Sequence, residues 1–341
     1  MTPLLSFVAR SRRLFSIVPL LVLATACAGQ KVIKTTADDP NRINVGELWL
    51  EPTDLESRNL FQGPGGTTLA PDPSARYEFI RADEAGYSKG YDVRDAQGTQ
   101  WSVKLGPEAQ PEIVTSRVLW ALGYHQPPIY LLPAWELVGA QRGTQGIARF
   151  RRETPNQQVA GEWSWYQNPF VTTQPFKALV VANLMLNNWD WKTSNNRIYD
   201  VTDSDGAHHR FYVVRDLGAS LGKTTFPRLL RWTPFRGLGQ GSRNDVEGFE
   251  QQAFIKGVDG QRVRFDYRGI HQRLVNTLTV DDVVFTARLM SRISDQQWSD
   301  AFRAAAYREP DQVRYIAKIK AKIREGLALG LRKQDPVLTR S

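Results

Sequence analysis

Residues 175–186, "PFKALVVANLML", carry a single charge, Lys177, and "NNWDWKTSNN" follows at once at 187–196. Pro175 suits the first turn of a helix, and a helix that is apolar on every side has to be buried on every side. The chain must therefore fold as a layered globular domain that surrounds this helix. It must also accommodate, directly behind it, a loop with one carboxylate, one lysine and four amides. Polar groups set against a core need partners or a task.

Upstream the period is that of strands. "ARYEFIRAD", "KGYDVRDAQG" and "TQWSVKLG", between 75 and 106, alternate apolar with polar residues, and Gly86, Gly90 and Gly98 punctuate the joins, so they read as an antiparallel meander. "PEIVTSRVLWALGY" reads as a helix, with Pro111 in its first turn and Gly123 at its stop. "PIYLLPAWELV" and "GIARFRRE" are strand-like, and "RFRRE" reads as a solvated strand edge or turn. After the apolar helix, "NRIYDV" and "HRFYVVRDLG" form a hairpin around "TDSDGAH". Three helices close the chain, capped by Thr279 or Asp281, by Ser294 or Asp295, and beginning near Asp311. The expected class is α+β, with a small antiparallel-sheet lobe holding one helix at 76–165 and a mainly helical lobe at 166–341.

The N-terminus reads as an export signal. Arg10, Arg12 and Arg13 precede an apolar stretch from Leu14 to Ala26 that is too short to span a bilayer. It ends on "LATAC" at the only cysteine, and Thr25 and Ala26 ahead of Cys27 resemble a bacterial lipobox, which implies lipidation of Cys27 and attachment to a membrane. An ordinary secretory signal with an incidental cysteine is the plainer alternative. Ala28, where an aspartate would favour inner-membrane retention in enteric-type bacteria, points to the outer membrane, facing the periplasm or the cell surface. "SRRLF" resembles a twin-arginine signal, which leaves two export routes open. Residues 28–75 have the composition of a tether and N-terminal extension.

Without the three leader arginines the formal charge of +9 becomes +6. The remaining arginines are scattered and no recognition motif accompanies them, so no nucleic-acid partner is expected. One cysteine excludes an intrachain disulfide. The four histidines are dispersed, and neither G-x-S-x-G nor H-E-x-x-H occurs.

Phosphoryl transfer needs a cation on the donor phosphates, an acid to orient that cation, a carboxylate to take the hydroxyl proton, and oxygen ligands for Mg²⁺. In "DWKTSN", Asp190 is the candidate base, Lys192 the cation that neutralises the transferring group, and Asn195 a metal ligand. That D-x-K-x-x-N spacing, followed by "VVRDLG" and preceded by "SVKL", resembles the protein-kinase-like superfamily. The similarity is to its atypical branches: HipA-like kinases, phosphatidylinositol 3/4-kinases, and spore-coat or secretory-pathway kinases. The resemblance implies a two-lobed protein-kinase-like fold, with Mg²⁺ and ATP as cofactors. Asp216 would be the second metal ligand. Lys104 would bind the phosphates, with Glu112 as its partner and Glu108 as the alternative. Ser88 and Lys89, between Gly86 and Gly90, would be further phosphate contacts.

The departures are definite. Asn188 and Trp189 replace the usual His-Arg, no G-x-G-x-x-G is present, and nothing like A-P-E follows Asp216. The expected function is an exported, lipid-anchored phosphotransferase moving a phosphoryl group from Mg-ATP to a hydroxyl of a protein, lipid or small molecule. Two alternatives stand beside it: a pseudokinase that binds without turnover, and a kinase-fold enzyme performing another nucleotide-dependent transfer such as adenylylation. An address outside the cytoplasm also calls for an unusual phosphate donor or a donor supplied from elsewhere.

Overall fold

A computed structural model describes residues 43–83, 88–139, 143–152, 157–203, 205–224 and 241–334. The meander forms as expected from β1 (Arg76–Asp83), β2 (Gly90–Arg94) and β3 (Gln100–Leu105), followed by α1 (Ala109–Ala121). With β4 (Ile129–Leu132), β5 (Trp135–Val138), β6 (Gly143–Gln145) and β7 (Ala148–Arg152) these strands make a seven-stranded sheet in the order β4-β7-β3-β2-β1-β5-β6. "PIYLLPAWELV" is two strands sent to opposite flanks. β4 pairs antiparallel with β7, whereas β5 pairs parallel with β1. Pro133 lies between them, and its missing N–H suits a break in the ladder. The solvated-edge reading of "RFRRE" is corrected, because β7 lies between β4 and β3 and Arg149 is 2% exposed.

Side chains alternate across a strand, so each strand of this sheet serves two faces. On one face Tyr77, Trp101, Trp135 and Phe150 meet in a core, with the Phe150 ring 5.0 Å from Tyr77, 5.2 Å from Trp135 and 6.0 Å from Trp101. The other face carries Ser102 and Lys104 on β3, which lie opposite Arg151 and Arg149 on β7. The residues between the aromatic ones thus form a charged floor.

A second, three-stranded sheet, ordered β10-β9-β8, is built from β8 (Gln157–Gly161), β9 (Asn196–Thr202) and β10 (His208–Val214). Before β9, α2 (Gln174–Met185) starts on Thr173, whose hydroxyl accepts the Phe176 N–H. α2 is buried from Phe176 onward, apart from the half-buried Lys177, and packs against α5 (Val280–Ser291) and α7 (Glu309–Gln334). Between these lie α3 (Val246–Gln251), the hairpin of β11 (Ile255–Asp259) and β12 (Arg262–Phe265), and α4 (Gln272–Val275), with α6 (Asp295–Ala304) following α5. Thr279 and Ser294 are the helix caps of α5 and α6. Each forms a reciprocal capping box, with Asp282 and Gln297 respectively. The α+β class is as expected, and the C-terminal half is mainly helical with two hairpins set into it.

Residues 43–75 belong to the folded body, a correction to their reading as a tether. Leu48, Leu55 and Leu60 are buried in the main core. The Trp49 indole N–H donates to the Leu122 carbonyl at 2.7 Å, closing the C-terminal end of α1. The Gln297 amide donates to the carbonyls of Leu55 at 2.7 Å and Arg58 at 3.0 Å. The segment therefore ties α1 to the C-terminal helices. Its turns are rich in glycine and proline, so three leucines carry burial that the composition conceals.

Candidate functional site

Lys104 is held by carboxylates from two directions. Its Nζ lies 3.0 Å from Glu112 Oε2 and contacts Asp216 Oδ1. Glu112, 3% exposed, reaches on with Oε1 to Arg149 Nε at 3.2 Å. Two cations directly opposite one another on adjacent strands would repel, and Glu112 sits where it attracts both. Burial alone would raise the Glu112 pKa, but Arg149 and Lys104 overcome it and hold the carboxyl down at about 2. For Lys104 burial works against the charge, and Glu112 and Asp216 outweigh it, so its pKa is raised. Glu108, the alternative partner, is 3.7 Å from Lys104 and is engaged elsewhere. It accepts from the Ser88 hydroxyl at 2.7 Å and pairs with Arg243 at 2.6 Å.

The amide-rich loop divides into a structural half and a polar half. Asn187 takes a left-handed φ of 52° just past α2 and donates to the Gly222 carbonyl at 2.7 Å. The Asn188 backbone N–H returns to the Asn183 carbonyl at 2.9 Å, and its side chain donates to the Asn183 amide oxygen at 2.7 Å. From α7, the buried Lys322 donates to the Met185 carbonyl at 2.9 Å and to Asn187 Oδ1 at 2.7 Å. These contacts satisfy the end of a helix whose last turn is buried. Trp191 is fully buried, its indole N–H on the Tyr267 hydroxyl at 2.7 Å, and Trp189 packs under the Arg243 guanidinium at 4.8 Å. Neither tryptophan lines the cleft described below.

The polar half begins at Asp190, which pairs with Lys192 at 2.8 Å. Asn195 donates its side-chain N–H to the Asp190 carbonyl at 2.7 Å, which fixes both ends of this turn. Burial raises the Asp190 pKa, Lys192 opposes it, and the nearby Asp216 carboxylate adds to the rise. Asp216 stands just after β10 with a left-handed φ of 57°. Gly218 follows because α1 comes so close: a Cβ there would meet Glu108 Cβ at 2.5 Å and its carbonyl at 2.7 Å.

A cleft of about 150 Å³ lies between the sheet floor and this hairpin. Lys104, Asn195, Asp216 and Ser88 line it together. Asp190 and Lys192 are outside its lining and are joined to it through Asn195. Lys89 is exposed and does not line the cleft, because its neighbour Gly90 is the residue facing Lys104 across the strands. Gly86 and Cys27 lie outside the described residues.

Four arginines went unforeseen: Arg149, Arg151, Arg197 and Arg215 all line the cleft. Two of them had a signal, since Arg197 and Arg215 stand next to the loop and hairpin motifs. Alternation with Phe150 also puts Arg149 and Arg151 on one face, but the floor they form appears only once β7 is known to pair with β3.

No group of three or more His, Cys, Asp or Glu residues that could hold a metal occurs among the described residues. Asp216 and Asn195 nevertheless suit Mg²⁺, which takes one or two protein oxygens and fills its shell with water and phosphate. His209 pairs with Asp203 at 2.8 Å on a half-exposed hairpin tip, in keeping with a solvated turn.

Lys104 and Asp216 meet at the cleft with Asn195, Glu112 backs Lys104, and Asp190 and Lys192 are joined to it through Asn195. Two solved structures are similar to this chain. The crystal structure of a Helicobacter pylori proinflammatory kinase, CtkA, aligns with a TM-score of 0.43 and 11% identity, over 76% of this chain and 99% of that one. The crystal structure of the golgi casein kinase aligns with a TM-score of 0.40 and 9% identity, over 88% of each chain. No protein-family model and no curated protein sequence matches the chain.

Proposed function

We propose that the chain is a kinase-like phosphotransferase that moves a phosphoryl group from a phosphate donor to a hydroxyl of a protein, lipid or small molecule. The observation that carries this reading is the position of Lys104. It is clamped between buried Glu112 and Asp216, and it faces a cleft shared with Asn195. A lysine fixed in this way is a phosphate-binding cation with no freedom to wander.

In the proposed reaction Lys104 binds and orients the donor phosphates. The acceptor oxygen bonds to the terminal phosphorus, the bridging P–O bond breaks with its electron pair on the departing phosphate, and the hydroxyl proton passes to Asp190. The raised pKa of Asp190 suits a proton acceptor. Lys192, ion-paired to Asp190, lies where it can balance charge on the transferred group. Asp216 and Asn195 would hold Mg²⁺, which supplies charge neutralisation of the phosphates when bound.

The positions of Trp189 and Trp191 away from the cleft favour turnover over a binding-only role. The test is metal-dependent loss of the donor's terminal phosphate, to an acceptor or to water, in the full chain and in Asp190→Asn. Loss by the wild type and its collapse in the variant are expected, and equal rates would overturn the assignment of the base.

The proposal extends to the address. Residues 1–27 would direct export, and Cys27 would carry the lipid that holds the enzyme at the outer membrane. No helix among the described residues is long and apolar enough to cross a membrane. Cys27→Ser should move the protein out of the membrane fraction, and unchanged fractionation would sink the lipoprotein reading.

A further inference from the structure

We propose that the donor site takes a compact linear polyphosphate, two or three phosphates carrying no nucleobase, in preference to an adenine nucleotide. This rests on the phosphotransferase reading and names the donor class of that same site.

Sites for ring-shaped ligands are lined mostly by apolar and aromatic side chains, with a few polar groups for orientation. This cleft is the reverse. Its floor is Lys104, Arg149 and Arg151, and Arg197 and Arg215 face them from the hairpin. Val103 borders it but is 2% exposed and belongs to the aromatic core on the other side of the sheet. Among the described lining residues no other aliphatic or aromatic side chain occurs, so they offer the two faces of a base no apolar surface to lie between. The volume of about 150 Å³ is also small. Sites for drug-sized molecules, adenosine among them, run to roughly 300–1,000 Å³.

The cations are more numerous than their anions. Lys104 pairs with Glu112 and Asp216, Arg149 shares Glu112, Arg197 reaches Glu162 at 3.4 Å, and Asp83 is the one further carboxylate among the described lining residues. Arg151 and Arg215 have no carboxylate within ion-pair distance among the described residues. Arg151 donates to the Ser102 hydroxyl at 3.1 Å and Arg215 to the Tyr199 hydroxyl at 2.7 Å, while Arg215 Nε is buried without a hydrogen-bond partner among the described residues. Burial, then the guanidiniums of Arg215 and Arg149, pull the Arg151 pKa down to about 9. An arriving polyanion would relieve that repulsion, and guanidinium forks match phosphate oxygens in pairs.

Transfer from such a donor balances as described above. The acceptor oxygen gains the terminal phosphorus, the shortened polyphosphate leaves with the electron pair of the broken bond, and Asp190 takes the proton. A donor of this class also suits an enzyme placed outside the cytoplasm.

Isothermal titration of the full chain in Mg²⁺ with tripolyphosphate, ATP, adenosine and inositol hexakisphosphate tests the proposal. Tripolyphosphate should bind at least as tightly as ATP, and adenosine should not compete with it. Arg151→Gln and Arg215→Gln should each weaken tripolyphosphate tenfold or more, and the wild-type ranking stands even if one variant fails to fold. ATP binding tenfold tighter than tripolyphosphate, with adenosine competing, would overturn the donor class and leave the phosphotransferase reading intact. Inositol hexakisphosphate binding tenfold tighter than tripolyphosphate would overturn the linear donor. Absence of tripolyphosphate binding would overturn the proposal outright. Failure of Asp190-dependent transfer from every donor is a separate result and would remove the reading beneath it.

Discussion

The two faces of the seven-stranded sheet differ completely although the same strands build them. On one side Tyr77, Trp101, Trp135 and Phe150 pack ring against ring. On the other, Lys104, Arg149 and Arg151 stand as cross-strand neighbours around a single buried glutamate. Burial of the aromatic face stabilises the lobe, whereas the opposite face concentrates like charge that costs stability unless an anion is present. The lesson is a division of labour at a period of two residues: one residue holds the sheet and the next handles charge.

That division can be broken or sharpened by substitution. The largest effect is expected on the cleft side from Asp190→Asn. Transfer should fall about 10²–10⁴-fold, as for loss of a general base. Stability should hold or rise, since a carboxylate whose charge is disfavoured by burial is removed. Loss of fold together with activity would mean that Asp190 is structural.

Next comes the aromatic side. Phe150→Ala should cost about 3–5 kcal/mol in denaturant unfolding, the usual range for a buried phenylalanine. Donor affinity of the folded fraction should stay near wild type. A weakened affinity with unchanged stability would show that the two faces are not separable in this way.

Glu112 tests the point where charge itself supports the fold. Its carboxyl is held at about 2 against an ordinary value of 4.5, so its stabilisation is fully present above about 4.5 and lost as pH falls through about 2. The amount is on the order of 3 kcal/mol for a group this buried. Glu112→Gln should remove that acid-side loss and lower stability at neutral pH. A wild-type acid unfolding curve that the variant reproduces would deny Glu112 this role. The smallest effect is expected from Ser102→Ala, about 1 kcal/mol for one hydrogen bond, with donor affinity reduced less than tenfold. A larger loss of affinity would make Ser102 a direct ligand contact.

Much of the architecture was legible where local pattern and long-range packing agree. The helix at 174–185 and the hairpin behind it follow from an unbroken apolar run and from alternation around a turn. The β11–β12 hairpin is not among the expected elements, although Asp259-Gly260 is a turn signal between its strands. Its alternation is short and interrupted by Lys256 and Gly257, so the pattern was weak. Lys104, Glu112, Asn195 and Asp216 were visible as candidate site residues because a family resemblance rests on their chain order and spacing. The arginine floor was not, since alternation says which residues share a face but never which strand lies alongside. Lys322 is a similar case. Burial, then Lys318, hold its pKa well below the usual lysine range, and it closes α2 from a helix more than 130 residues away. No spacing within either helix records that meeting.

The central claim is that Lys104, Asn195 and Asp216 form a metal-dependent phosphate site. The most direct measurement is thermal melting of the full chain, wild type beside Asp216→Ala, with and without Mg²⁺ and with saturating tripolyphosphate or ATP. A ligand bound only by the native state must raise the melting temperature. The expected result is a rise that requires both Mg²⁺ and the phosphate donor and is lost in Asp216→Ala. An equal rise in the variant, or no rise in the wild type with either donor, would contradict it.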